Sequence, residues 1–275
     1  MAINFNNDPY FDDFQTAGTD GLSPQEKYYR ILFRPSVAVQ ARELTQLQTT
    51  LQNQITSFGN HVFEDGAMVI PGQTALDQEY GFVKVEDNHT SLDVETYREE
   101  FLNTTIIGQT TGVKAKVVGT VARTTGGDPI TLFVKYLDSG TNKTTKTFEA
   151  EEVIASDGSP NRLATIQASS ETPIGFGAAA NIRAGVYYVS GVFAYVTSQT
   201  LVLSKYSTNP SARIGLTIAE ETVDSTEDAS LNDNANGAPN YAAPGAHRYK
   251  ITLTLDSKTL TGTDNSNFIE LLRVE

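Results

Sequence analysis

Cysteine and tryptophan are both missing from the 275 residues of this chain. Without cysteine, neither disulfides nor cysteine-ligated metal sites can hold the fold together. Without tryptophan, the chain lacks a ring on which sugar-cleaving clefts commonly stack their substrates. Positive charge is also scarce: 20 Lys and Arg stand against 33 Asp and Glu, for a formal net charge of -13. That balance argues against broad binding to nucleic acid or an anionic membrane, both of which call for a positive field. No apolar run approaches the roughly 20 residues of a bilayer-spanning helix, and no basic leader precedes an apolar core. The expectation is a protein made in a cytoplasm, without membrane insertion.

What is present points to strands. Hydrophobic residues make up 39% of the chain, and Thr, Asn, Gly and Ser are abundant, a mix that suits a loop-rich, mainly β protein. The length suits one large domain or two smaller ones, and two units are expected.

Residues 1–35 interleave turn formers and carboxylates with Phe5, Tyr10, Phe11, Phe14, Tyr28, Tyr29 and Phe33. A flexible tail is depleted in aromatics because it cannot bury them. This arm is therefore expected to dock, either on its own domain or on a neighbouring subunit. After Pro35 the apolar residues Val37, Ala41, Leu44, Leu47, Leu51, Ile55, Phe58 and Val62 fall mostly three or four apart, which predicts one long amphipathic helix ending near Gly59. Its other faces carry Thr45, Gln46, Gln48, Thr49, Thr50, Gln52, Asn53 and Gln54 in place of the usual Lys and Glu. Neutral polar groups sit between packed partners without the desolvation cost of a charge. Two readings stand side by side: a helix sandwiched in an assembly, and an ordinary amphipathic core helix.

From His61 onward the pattern is that of strands. An Asp-Gly turn precedes an apolar run in FEDGAMVIPGQTAL, and YGFVKVED alternates as a half-buried strand does. Between 104 and 170, IIGQTTGVKAKVVGTVA, DPITLFVKYL and TKTFEAEEVIA are separated by Gly-, Asn- and Asp-bearing turns, which predicts a small inserted antiparallel barrel or curled sheet. RAGVYYVSGVFAYVTSQTLVLSKYS then offers strands whose partners are expected near residues 62–86. The resulting division is an N-terminal arm and assembly helix at 1–60, a discontinuous antiparallel β-sandwich-like domain at 61–103 and 171–275, and an inserted small β-barrel-like domain at 104–170. The alternation continues to Glu275 without a closing loop, so the polypeptide is expected to extend further or its ordered part to end there.

Catalytic and metal chemistry finds little support. His61, His89 and His247 are scattered and never share a helical face at zincin spacing. Acidic pairs at Asp12–Asp13, Glu99–Glu100 and Glu151–Glu152, and the group Glu220 to Asp228, do not by their spacing supply two carboxyls facing each other across a cleft. The loop from Asp224 to Asn236 lacks the ligand spacing and closing glutamate of an EF-hand. Gly175-Phe176-Gly177 has no following Lys-Ser/Thr to make a phosphate cradle. No catalytic, cofactor-binding or metal-binding residue is assigned, and no cofactor is expected.

The segments YYRILFRPSVAVQARELTQLQTTLQNQITSFGNHVFEDGAMVIPG, YREEFLNTTIIGQTTGVKAKVV and DNANGAPNYAAPGAHRYKITLTL resemble a family of virion proteins of tailed phages of cyanobacteria and their relatives. Its members are described as structural or tail-fibre-like, under a domain of unknown function. The resemblance runs from about residue 1 to the end. It implies a place in the virion at the baseplate or fibre, trimeric assembly, a longer C-terminal part in many relatives, and no catalytic residues. The expected function is that of a non-enzymatic structural protein, the baseplate-attachment part of a tail fibre or fibre connector. The expected partners are like subunits in a homotrimer and other baseplate or tail proteins, contacted through Phe5, Tyr10, Phe11, Phe14, Leu44, Leu47, Leu51, Ile55 and Phe58. Two alternatives remain: a module of residues 104–170 that reads a host surface receptor or carbohydrate, and a glycan-degrading tailspike.

Overall fold

The computed structural model describes residues 5, 9, 10, 12, 28–262 and 267–275. The chain is mainly β, in several antiparallel sheets, with one long α-helix. It divides into two compact units. One comprises Met1–Thr74, Ile182–Gln199 and Arg213–Arg273; the other comprises Ala75–Asn181, Thr200–Ala212 and Val274–Glu275.

The first unit holds the helix, Ala41–Val62. It starts four residues later than the apolar spacing suggested, because Pro35 and Ser36 make a turn in which Val37 N–H donates to Arg34 O and Ser36 adopts a positive φ. Glu43 fixes the start by accepting from the Gln40 N–H at 2.8 Å. The helix also passes through Gly59, where the sequence suggested an end, and closes at Phe63, whose N–H donates to Gly59 O. Gly59 is small because of its neighbour: a Cβ there would lie 2.5 Å from the Tyr188 ring.

Beside the helix lies a three-stranded sheet in the order Met68–Ile70, Gly185–Val189, Val192–Val196. The partner expected for RAGVYYV near residues 62–86 is thus the strand Met68–Ile70. Ser190 and Gly191, both at positive φ, form the two-residue turn that pairs Val189 with Val192. A second sheet orders Arg248–Lys258, Ala212–Val223 and Phe268–Val274. Its inner face buries the cross-strand pairs Leu216–Leu255 and Ile218–Leu253.

The second unit is an eight-stranded antiparallel sheet in the order Gln199–Ser204, Ile174–Ile182, Thr74–Lys84, Thr131–Asp138, Lys114–Val121, Thr105–Gly108, Val153–Ser156, Leu163–Thr165. The last strand bonds back to the third: Glu86 N–H donates to Thr165 O at 2.8 Å, and Gln167 N–H to Lys84 O at 3.1 Å, around the bridge Val85–Ile166. Six strands thereby close a ring around Val83, Val94, Phe101, Ile106, Val117, Leu132, Val134, Ile154 and Ile166. The 3-10 helix Val94–Phe101 stops one end of it with Val94, Tyr97 and Phe101. Residues 104–170 supply five of the six staves. The sixth, Thr74–Lys84, lies in the stretch expected to pair with the strands after residue 182 in the larger β domain, and its alternation gives no sign of which sheet it joins.

Candidate assembly interface

The helix meets its own unit with its polar side. Thr56 Oγ1 and Gln52 Nε2 donate to Gly191 O at 2.9 and 3.3 Å, and the Tyr188 hydroxyl reaches Thr56 O and Asn60 Oδ1 at 2.9 and 2.8 Å. Thr50 and Gly59 are buried, and Thr45, Gln46, Thr49, Asn53 and Thr56 are half-buried. Tyr188 is fully buried beneath the helix, and burial, with Asp65 nearby, raises its phenol pKa above the ordinary range.

The apolar stripe points the other way. Leu44, Leu47, Leu51, Ile55, Phe58 and Val62 are all exposed, Leu51 by 58% and Phe58 by 66%. The core-helix reading is therefore corrected: among the described residues the apolar stripe is left exposed, and the neutral Thr, Gln and Asn residues are the inward surface. The stripe also repeats. Leu44 and Ile55, Leu47 and Phe58, and Leu51 and Val62 are each eleven residues apart, a spacing of about 3.67 residues per turn whose apolar seam winds slowly in the right-handed sense.

Two more surfaces adjoin it. Ahead of the helix, residues 28–39 leave Tyr28, Tyr29, Leu32, Phe33, Val37 and Val39 exposed. Past its end, Phe63 meets Tyr188 at a tilt and Phe193 edge-on, with ring centres 5.7 Å apart in both cases. Phe193 pairs across the hairpin with Tyr188, so the next row on the same face is Ile70, Val186 and Tyr195. Ile70 is 56% exposed and Tyr195 62%. Composition did not single out this row, because YYVSGVFAYV is apolar on both sides and its outward positions are visible only once the helix is placed.

Earlier in the arm, Phe5, Tyr10 and Asp12 dock on the chain itself. Phe5 makes edge contacts with Tyr10 and Tyr249, each with centres 5.5 Å apart, and the Tyr10 hydroxyl shares a hydrogen bond with His247 Nδ1 at 2.8 Å. Asp12, fully buried, accepts from the Thr49 hydroxyl on the helix. Tyr249 in turn has its phenol pKa raised by burial and by the Glu220 carboxylate bonded to it. Phe11 and Phe14 lie outside the described residues. Phe5 thus rests against Tyr249 of the strand Arg248–Lys258 and Tyr10 against His247 just before it, whereas Leu44, Leu47, Leu51, Ile55 and Phe58 share one open face.

Elsewhere the polar groups serve the fold. Buried Glu152 accepts from Thr110 N, Thr111 N and Thr111 Oγ1 at 2.6 to 2.9 Å and so holds the 109–113 turn. His89 bonds Thr165, and His61 is exposed. Among the described residues no group of three His, Asp or Glu side chains is placed to hold a metal ion. No helix among them is long and apolar enough to cross a membrane.

No curated protein and no solved structure shows significant similarity to the chain. A family model described as a domain of unknown function, DUF4815, matches residues 18–124 and 139–272, which is most of the chain, and the chain belongs to that family.

Proposed function

We propose that the chain is a non-enzymatic structural protein of a tailed-phage virion, the baseplate-attachment part of a tail fibre or fibre connector, and that it acts by holding copies of itself and neighbouring tail proteins together. The observation that carries the assembly part is the outward apolar stripe of the helix. A monomer gains nothing from six large apolar side chains in water on one helical face, and such contiguous patches mark interaction sites. Full burial of a Leu, Ile or Phe side chain is worth roughly 1.5–3 kcal/mol, so closing the half-exposed positions contributes about 1 kcal/mol each. In this reading three helices meet at a three-fold axis through Leu44, Leu47, Leu51, Ile55 and Phe58. The body is then a β-sandwich-like domain with an inserted barrel-like one, facing outward. The phage assignment rests on the resemblance of the three sequence segments to virion proteins.

The test is sedimentation of the wild type against a Leu47→Asp/Leu51→Asp variant. The wild type is expected to run as a trimer. The variant is expected to run as a monomer with an unchanged far-UV spectrum, since both side chains lie on the exposed face of the helix. A variant that stays trimeric removes the helix from the interface, and a monomeric wild type removes self-association.

A further inference from the structure

The helix stripe is flanked by two exposed surfaces that do not meet within one chain. Residues 28–39 form no helix or strand, and their one backbone bond to another residue of the segment is that of the Arg34–Val37 turn. Leu32 is 74% exposed and Tyr29 69%. The row Ile70, Val186 and Tyr195 lies on the sheet face that the helix covers, one step beyond the pair of buried Tyr188 and part-exposed Phe193. The segment joins the helix at Ala41 and the row adjoins it at Val62, so about 33 Å of helix separates them at 1.5 Å per residue. Twelve extended residues reach up to about 40 Å.

The two surfaces also differ in charge. Residues 28–39 carry Arg30 and Arg34 and no carboxylate; residues 63–72 carry Glu64 and Asp65 and no base. Asp65 is held at the edge of the sheet by accepting from Ser190 N at 2.8 Å, and Gly66 N donates to Tyr188 O, so the Asp65 carboxylate and the turn that carries Glu64 are tied to the sheet that bears the apolar row. In a chain of net charge -13 a purely basic, aromatic segment is a local exception, and it finds its complement beside the unpartnered row.

We infer that residues 28–39 of one copy cross to a second copy as a strap over its Ile70–Val186–Tyr195 row, with Arg30 and Arg34 set against Glu64 and Asp65. The inference rests on the self-association proposed above, since the helix stripe brings the second copy alongside. Extended backbone supplies reach, Tyr28, Tyr29, Leu32 and Phe33 supply apolar cover, and the two arginines fix the direction in which the strap lies.

The absence of cysteine makes cross-linking a clean test. A Tyr29→Cys chain and a Tyr195→Cys chain with different tags are co-expressed as full-length protein, sedimented and then mildly oxidised. The expected product is a disulfide-linked pair carrying both tags, absent when either cysteine is omitted. Arg30→Glu is expected to lower its yield several-fold, and Glu64→Arg in the partner chain to restore it. An intact assembly that gives no mixed pair overturns the strap and leaves self-association standing. So does a doubly substituted chain that cross-links only within one copy. Chains that sediment as monomers overturn the strap together with the reading beneath it.

Discussion

At Gly59 two ordinary rules pull in opposite directions. A glycine inside an exposed helix is about 1 kcal/mol worse than alanine, so Gly59→Ala should stabilise on propensity alone. Yet the added methyl would lie 2.5 Å from a ring that is itself fully buried and bonded at its hydroxyl to Thr56 O and Asn60 Oδ1, so the ring has nowhere to go. Overpacking of that kind costs roughly 1–3 kcal/mol, which outweighs the propensity gain. Gly59→Ala is expected to lower the urea midpoint, and pairing it with Tyr188→Phe should not recover the loss, because the clash is with ring carbons as well as the oxygen. A midpoint equal to or above wild type would mean that the helix does not rest on Tyr188. The same contact explains why Gly59 misled at the sequence level: a glycine at the end of an apolar period signals a helix stop, and a glycine cleared for a distant aromatic looks identical.

Periodicity at the scale of elements revealed the helix but not its orientation. The 3–4 spacing from Leu44 to Val62 defines a face whether that face looks inward or outward, and the usual prior assigns it to the core. The contrary signal was also in the sequence: a side composed of Thr45, Thr49, Asn53 and Thr56, with no Lys or Glu, suits close packing against backbone carbonyls such as Gly191 O. The strands of residues 104–170 were legible for a similar local reason, since each run is bounded by Gly, Asn or Asp turns. Their sixth stave was not, because Thr74–Lys84 joins by pairing with Thr131–Val134, a partner far along the chain that sequence spacing does not reveal: Lys84 sits opposite Thr131, and Gly81 opposite Val134. The ring closure has a direct consequence for dissection. A fragment of residues 104–170 lacks the strand that pairs on both sides of the ring, leaving Leu132, Val134 and Ile166 open to water, and is expected to be largely unfolded by near-UV circular dichroism and amide exchange. A fragment of residues 75–181 retains all the staves and is expected to give a cooperative melt. Equal folding of the two fragments would show that residues 75–86 are dispensable to the ring.

For the whole molecule, net charge and apolar surface act against each other. Each copy brings a formal charge of -13, so bringing copies together is opposed by repulsion between like-charged bodies, while the stripe of Leu44 to Val62 contributes an attraction that carries almost no charge of its own. Salt separates the two effects. At 0.01 M ionic strength the screening length is about 30 Å, comparable to the length of the helix, and at 0.15 M it shortens to about 8 Å, so repulsion between whole bodies fades over this range. The local attraction of Arg30 and Arg34 for Glu64 and Asp65 also weakens, but it involves a few groups against the unbalanced charge of every copy. Self-association is therefore expected to tighten as salt is raised from 0.01 to 0.15 M, measured as a fall in the dissociation constant by analytical ultracentrifugation at pH 7. Lowering the pH toward the pI of about 4.7 should act in the same direction by removing negative charge. An interface built from charge pairs would respond in the opposite sense, dissociating as salt is added, and that result would move the contact away from the helix stripe to the charged loops of the β units.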